Sequence, residues 1–232
     1  MLGDSDLLAL WERGSPRHPL DRALLLGCWA RPDLAPDALA DLPLGTLNRA
    51  LLGLRTDLFG RAIDAYVDCE VCGARHALAL DAEDFSAAAA GSDAPGEGRV
   101  AGRRWRAPTI RDLAAVAGEP SPQAAAFAIL HRCLSPPPTP AELADLLVEA
   151  DAVFEASDPG AEIGLALICD ACGHRWVANF DIAALLWDEV AARARALLDE
   201  VDRLARAYGW SEAEILGLSP VRRAAYLELV SG

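Results

Sequence analysis

The chain has 232 residues, of which 53% are hydrophobic, so it can bury one elaborate core or two small ones. Its formal net charge of −14 argues against nucleic acid as the main partner, because an acidic chain repels phosphate unless it carries a basic patch. No apolar run approaches the roughly 18 residues of a membrane span, and Asp4 and Asp6 stand where a signal peptide would be positive. We therefore expect a cytoplasmic protein with no membrane partner.

The first part of the chain, residues 1–60, has the periodicity of helices. Its clearest apolar stripe runs over about 44–59 and stops at Gly60, a residue typical of helix ends. The stripe members recur at steps of three and four: Leu47, Leu51, Leu54 and Leu58. We expect an N-terminal helical part over 1–60.

Residues 61–81 change to a period of two, which is typical of β-strands. Apolar residues alternate up to Cys69, and the alternation resumes after the sequence Cys69-Glu-Val-Cys72-Gly73. This pattern predicts a β-hairpin with a Cys-x-x-Cys-Gly knuckle at its turn. Residues 161–181 repeat it around Cys169 and Cys172, so the chain contains a small internal repeat with two knuckle hairpins.

The repeat continues past the knuckles. Each copy has an aspartate twelve residues after its first cysteine, Asp81 in the first and Asp181 in the second. A mixed insertion over 82–160 separates the copies, and its stretch 86–98, rich in Ala, Gly and Asp, is expected to be a mobile loop.

The last part, residues 182–232, is predicted to form the C-terminal helices. A long helix after Asp181 carries a stripe at alternating steps of three and four: Trp187, Val190, Ala194, Leu197, Val201, Leu204 and Tyr208. The stripe fits packing against the N-terminal helices or a seam for another protein. A final helix carries a shorter apolar stripe: Val221, Ala225 and Leu229. The expected fold class is α+β, mainly helical, with a zinc-ribbon-like pair of β-hairpins joining helical segments.

The two knuckles together supply four cysteines, which is the full ligand set of a structural zinc site: Cys69, Cys72, Cys169 and Cys172. Thioredoxin-like redox chemistry needs its Cys-x-x-Cys at a helix N-terminus, whereas both motifs here lie between strand-like segments. Pairs without metal remain a third possibility. Cys28 and Cys133 stand alone in apolar helical patterns and are interpreted as core cysteines.

His76 and His174 lie beside the knuckles and could replace a thiolate or contact one. Four thiolates already close a tetrahedral shell, whereas a catalytic zinc keeps one position open. The remaining histidines, His18 and His131, lie in no recognisable hydrolase motif, and Gly96-Glu-Gly98 lacks the lysine of a phosphate loop. We therefore expect a structural Zn²⁺ and no enzymatic activity.

Zinc ribbons often bind nucleic acid, and basic and aromatic residues near the knuckles support this alternative. Arg75, Arg175 and Trp176 flank the knuckles, and residues 103–106 read Arg-Arg-Trp-Arg. Acidic residues adjoin the same knuckles, and the basic run is also typical of a strand with solvated arginines and one inward tryptophan. A zinc-ribbon nucleic-acid-binding or regulatory protein is therefore the second hypothesis.

Several blocks of the sequence resemble proteins encoded in clusters for phage-tail-like contractile injection systems. They are Leu-Leu-Ala-Leu-Trp-Glu-Arg-Gly at 7–14, Pro-Leu-Gly-Thr-Leu-Asn-Arg-Ala-Leu-Leu-Gly-Leu-Arg at 43–55 with Leu-Phe-Gly at 58–60, the first knuckle, and Pro-Thr-Ile-Arg-Asp-Leu at 108–113. The stretch 204–215, with Arg222, Arg223 and Tyr226, is similar to the C-terminus of the T-even-type baseplate hub and hub-assembly family.

This resemblance implies a non-enzymatic role in forming the baseplate of a syringe-like particle, as an assembly factor or as a hub component. It implies protein partners among baseplate, spike or tube components. It also implies that the cytoplasmic protein could be incorporated into the particle.

Overall fold

The computed structural model describes residues 3–89 and 96–231. Within them the chain is mainly helical, with small antiparallel sheets of two or three strands, so the expected α+β class is confirmed. No helix among the described residues is both long enough and apolar enough to cross a membrane.

The helices and strands follow one another along the chain in a fixed order. The helices are α1 (Asp4–Gly14), α2 (Pro19–Ala30), α3 (Pro36–Ala40), α4 (Leu44–Phe59), α5 (Ala82–Ala89), α6 (Ile110–Val116), α7 (Pro122–Cys133), α8 (Pro140–Ser157), α9 (Ile182–Tyr208), α10 (Glu212–Leu216) and α11 (Pro220–Ser231). The strands are β1 (Ala62–Asp68), β2 (Arg75–Asp81), β3 (Glu97–Val100), β4 (Arg103–Arg106), β5 (Leu134–Ser135), β6 (Gly164–Ile168) and β7 (Arg175–Asn179).

The main hydrophobic core lies between the N-terminal helices and α9. Helices α1, α2 and α4 all pack on α9, and Leu10, Leu26, Leu51 and Leu186 are fully buried there. Most of the α9 stripe therefore packs against the N-terminal helices, which was the first of its two interpretations. Its last member, Tyr208, is 39% exposed.

The insertion between the hairpins has a smaller core of its own. Trp105 on β4 packs its ring edge-on against Phe154 of α8, with ring centroids 5.7 Å apart. The other buried members of this second cluster are Val100, Leu130, Leu134, Leu146 and Ala150. The sequence 103–106 is thus a strand with its tryptophan directed inward.

The predicted loop over 86–98 overlaps regular secondary structure at both of its ends. Helix α5 extends to Ala89 and strand β3 begins at Glu97, and the middle of the predicted loop, 90–95, lies outside the described residues. Alanine favours helix more than any other residue, which explains how an Ala-rich stretch continues α5.

The apolar stripe of α11 faces solvent. Val221 is 82% exposed and Leu229 is 72% exposed. The opposite side of the helix carries Arg223, which is 1% exposed and forms ion pairs with Asp4 of α1 and Glu200 of α9. Helix α11 therefore contacts α9 on its Arg223 side and not through the apolar stripe.

Candidate metal centre

The two hairpins carry the same turn at their tips. In the first, the Gly73 N–H donates to the Cys69 carbonyl and the Cys69 N–H donates to the Ala74 carbonyl, both at 2.9 Å. The second repeats this arrangement around Cys169 at 2.8 Å. Gly73 and Gly173 adopt φ of 70° and 73°, which a side chain would strain, so the glycine after each second cysteine is required by the turn.

Packing beneath the knuckles brings the two hairpins together. Each hairpin leads directly into a helix, the first into α5 and the second into α9. The rings of Phe85 on α5 and Phe180 after β7 stack at 4.5 Å with an angle of 7°. Asp181 begins α9 by accepting the N–H of Ala184 at 3.0 Å, which is N-capping.

An ion pair fixes the base of the first hairpin to the helix that follows the second. Arg55 of α4, only 3% exposed, forms two hydrogen bonds to Glu189 of α9, at 3.0 and 2.6 Å. A third bond, from its Nη1 to the carbonyl of Gly60, reaches the turn that leads into β1. This pairing joins residues 134 positions apart, so sequence periodicity contained no signal for it.

The four cysteine sulfurs lie within 4.8 Å of one another and could hold a metal ion. The first cysteine of each knuckle contacts the second of the other: Cys69 to Cys172 at 3.7 Å and Cys72 to Cys169 at 3.6 Å. Sulfurs about 2.3 Å from a central zinc are separated by about 3.8 Å along a tetrahedron's edge. A disulfide would need about 2.05 Å, so the spacing fits a metal and not a bond.

The electrostatics of the cluster also favour a bound cation. Burial raises the pKa of Cys169, but the backbone N–H groups of Cys172 and Ala171 and the His76 side chain outweigh it and lower that pKa to about 6. At Cys172 the backbone N–H of His174 lowers the pKa, whereas burial and the other cysteines raise it to about 12. Four ionised thiolates at these distances repel one another, and a cation bound among them would offset that repulsion.

The two histidines near the knuckles have different positions. The Nε2 of His76 lies 3.3 Å from the Cys169 sulfur and, as its N–H tautomer, donates to a thiolate there. The ring of His174 stacks on Trp176, with centroids 5.7 Å apart. The group of close ligand atoms found among the described residues consists of the four cysteines without either histidine.

The lone cysteines lie apart from the cluster. Cys133 is buried, and burial followed by the nearby Asp112 charge raises the pKa of its thiol to about 12. Cys28 is half-buried and packs against the main core. Their positions agree with the interpretation as core cysteines.

Three of the five arginines that suggested nucleic-acid binding form ion pairs within the chain. Arg75 forms a two-point ion pair with Asp68 across the first hairpin. Arg103 pairs with Glu142, and Arg106 pairs with the buried Asp112. These three side chains each have an acidic partner, whereas Arg104 and Arg175 form no ion pair within the described ranges.

Comparison of the chain with protein-family models, with curated proteins and with solved structures finds no match to any of them.

Proposed function

We propose that the four cysteines bind one Zn²⁺ as a closed structural site. The observation that carries this proposal is the crossed pair of sulfur contacts, 3.6 and 3.7 Å, close to the tetrahedral edge of a zinc–thiolate centre. When bound, the ion neutralises the thiolates and links the two hairpins. Cysteine ligands favour zinc over the hard cations Mg²⁺ and Ca²⁺, which prefer oxygen.

A structural role follows from the number of ligands. Four thiolates fill the tetrahedral shell of zinc, so no position is open for a water or a substrate. The site then acts through the geometry that it imposes on the two hairpins, and the protein acts without catalysis at the metal.

We further propose that the protein serves in baseplate assembly of a contractile injection system or phage tail, as an assembly factor or hub component. The support is the sequence resemblance, whose blocks fall on several helices and on the first knuckle. Residues 7–14 form most of α1, 43–60 cover α4, and 204–215 join α9 to α10. A helical protein with a metal site that links its two hairpins and with a net charge of −14 suits the binding of protein partners.

Deletion of the gene tests this role. In a host whose neighbouring genes encode sheath, tube and spike proteins, we expect loss of complete sheathed particles in electron micrographs. Complementation with the native gene or with Cys28→Ser should restore them, and Cys69→Ser should not. Normal particles in the deletion strain would refute the assembly role while leaving the zinc site intact.

The nucleic-acid alternative has weaker support, because Arg75, Arg103 and Arg106 are paired internally. It is tested by titration of the zinc-loaded protein against labelled single- and double-stranded DNA and RNA at low ionic strength. Binding that weakens with added salt and with Trp176→Ala would favour this alternative.

A further inference from the structure

A groove of about 490 Å³ lies outside the metal centre, between the helical insertion and the second knuckle hairpin. Helices α7 and α8 form one wall, with Ile129, Leu147 and Phe154 among its residues. The outer face of the hairpin forms the other wall, with Gly164 and Val177. Its volume lies within the ~300–1,000 Å³ that is common for ligand sites.

The hairpin wall exposes apolar surface that the fold does not use. Val177 is 69% exposed although it lies in the middle of β7. A Cβ atom on Gly164 would lie 2.7 Å from the Cγ1 of Val177. The glycine therefore leaves space beside the valine that any other residue would occupy. Together with the apolar side chains of α7 and α8, Val177 gives the groove an apolar lining on both sides.

Carboxylates line the groove without compensating cations. Asp151, Glu155 and Glu162 are exposed, and no arginine or histidine lies among the groove residues. Asp151 and Glu155 are one turn apart on α8, where like charges destabilise a helix. Within the described ranges none of the three forms an ion pair, whereas the fourth carboxylate, Asp158, accepts the Gly45 N–H.

We infer that this groove binds a basic amphipathic helix of a protein partner. Two or three aliphatic or aromatic side chains of the partner would fill the apolar floor. Lysines or arginines one turn apart would pair with Asp151 and Glu155, whose spacing is also one turn. The chain's net charge of −14 would attract such a segment from a distance.

Peptide binding in the groove depends on neither a bound zinc ion nor a role in a baseplate. The two sites do share an element, since the hairpin that carries Cys169 and Cys172 also carries Val177. The test therefore uses the full chain loaded with zinc, and zinc content is measured on the same preparation. If the zinc-loaded protein does not bind the peptide, the groove proposal is wrong and the zinc proposal is unaffected.

The probe is a fluorescein-labelled peptide of about 15 residues, long enough to form a helix, with Leu and Lys at helical spacing. Fluorescence anisotropy should show saturable binding of this peptide. A peptide of the same composition in scrambled order should bind at least about tenfold more weakly, because it presents no apolar face.

Two groove variants and two matched controls locate the binding. Asp151→Asn with Glu155→Gln should weaken binding about three- to tenfold, while Asp145→Asn with Glu149→Gln, the same change on exposed residues of α8 outside the groove, should not. Val177→Lys should weaken binding about tenfold or more, while Val221→Lys on the exposed face of α11 should leave it unchanged.

Three results would overturn the inference. The first is no binding of the amphipathic peptide. The second is equal weakening by the groove and control variants, which would mean general attraction to an acidic chain. The third is self-association of the protein in sedimentation that Val177→Lys abolishes, which would mean that a second copy of this chain occupies the groove.

Discussion

Asp112 is a charged residue with no solvent exposure, and it organises the insertion. It accepts two hydrogen bonds from Arg106, one from Nε of Arg132 at 2.8 Å, and bonds from the N–H and hydroxyl of Thr109. Burial raises the pKa of Asp112, but these bonds outweigh it and hold that pKa well below the ordinary range. The charged form is therefore the stable one in the folded protein.

Asp112→Asn should reduce the free energy of unfolding by about 2–4 kcal/mol at pH 7, because two arginines lose their shared charged acceptor. Because the folded pKa is lowered, the stabilisation is complete above about pH 3.9, the ordinary value, and is lost as pH falls below it. The difference in free energy of unfolding between the variant and the native chain, measured by urea denaturation, should therefore become smaller as the pH is lowered below about 3.9. Asp145→Asn, at an exposed position of α8, is the control. An equal loss of unfolding free energy in this control would contradict the role of Asp112.

Elements distant in sequence are joined where the loop after α8 meets the start of α4. Asp158 accepts the N–H of Gly45 at 2.9 Å, and Asn48 donates to the carbonyl of Gly160 at 2.9 Å. Asp158 thus acts as an N-terminal cap for a helix whose own N-cap is Pro43. The contact attaches the insertion to the main core.

Gly45→Ala should destabilise the protein by about 1–3 kcal/mol, because its Cβ would lie 2.0 Å from an Asp158 oxygen and 2.8 Å from the Gly160 backbone. Gly53→Ala in the same helix is the matched control. No atom lies within 4 Å of that added Cβ, so we expect stabilisation by about 0.5–1 kcal/mol. Thermal denaturation of both variants measures the difference; equal shifts would show that the Asp158 contact is not tight.

Local patterns in the sequence predicted the elements that local physics determines. The Cys-x-x-Cys-Gly spacing predicted both knuckles, and the three–four stripe predicted α9. Ser211 and Glu214 form a capping box at the start of α10: the Ser211 N–H donates to the Glu214 carboxylate at 2.8 Å, and the Glu214 N–H donates to the Ser211 hydroxyl at 3.4 Å.

Contacts between distant residues were not predictable in this way. The partners Arg55 and Glu189, or Gly45 and Asp158, lie more than a hundred positions apart, and periodicity carries no information about such pairs. The ion pair between Arg223 and Asp4, near opposite ends of the chain, is another contact of this kind.

At the scale of the whole molecule, the hairpins and the main core differ in their dependence on the metal. Each knuckle hairpin is a separate two-stranded sheet, and such a sheet is marginal by itself. The core between α1, α2, α4 and α9 is apolar and contains none of the four cluster cysteines. Metal should therefore matter most for the hairpins.

Removal of metal with a chelator should increase hydrogen exchange at 62–81 and 164–179 while α4 and the first half of α9 remain protected. Exchange measured by mass spectrometry, with and without added Zn²⁺, gives the comparison. A uniform increase along the chain would indicate instead that the metal holds the whole fold.

The metal content of the purified protein tests the central claim most directly. Elemental analysis after purification without chelator should find about one zinc per chain in the native protein and in Cys28→Ser, the control outside the cluster. Cys69→Ser should retain far less. A native protein that holds no zinc even after refolding with it, or a Cys69→Ser variant that holds as much as the native chain, would contradict the four-cysteine clasp.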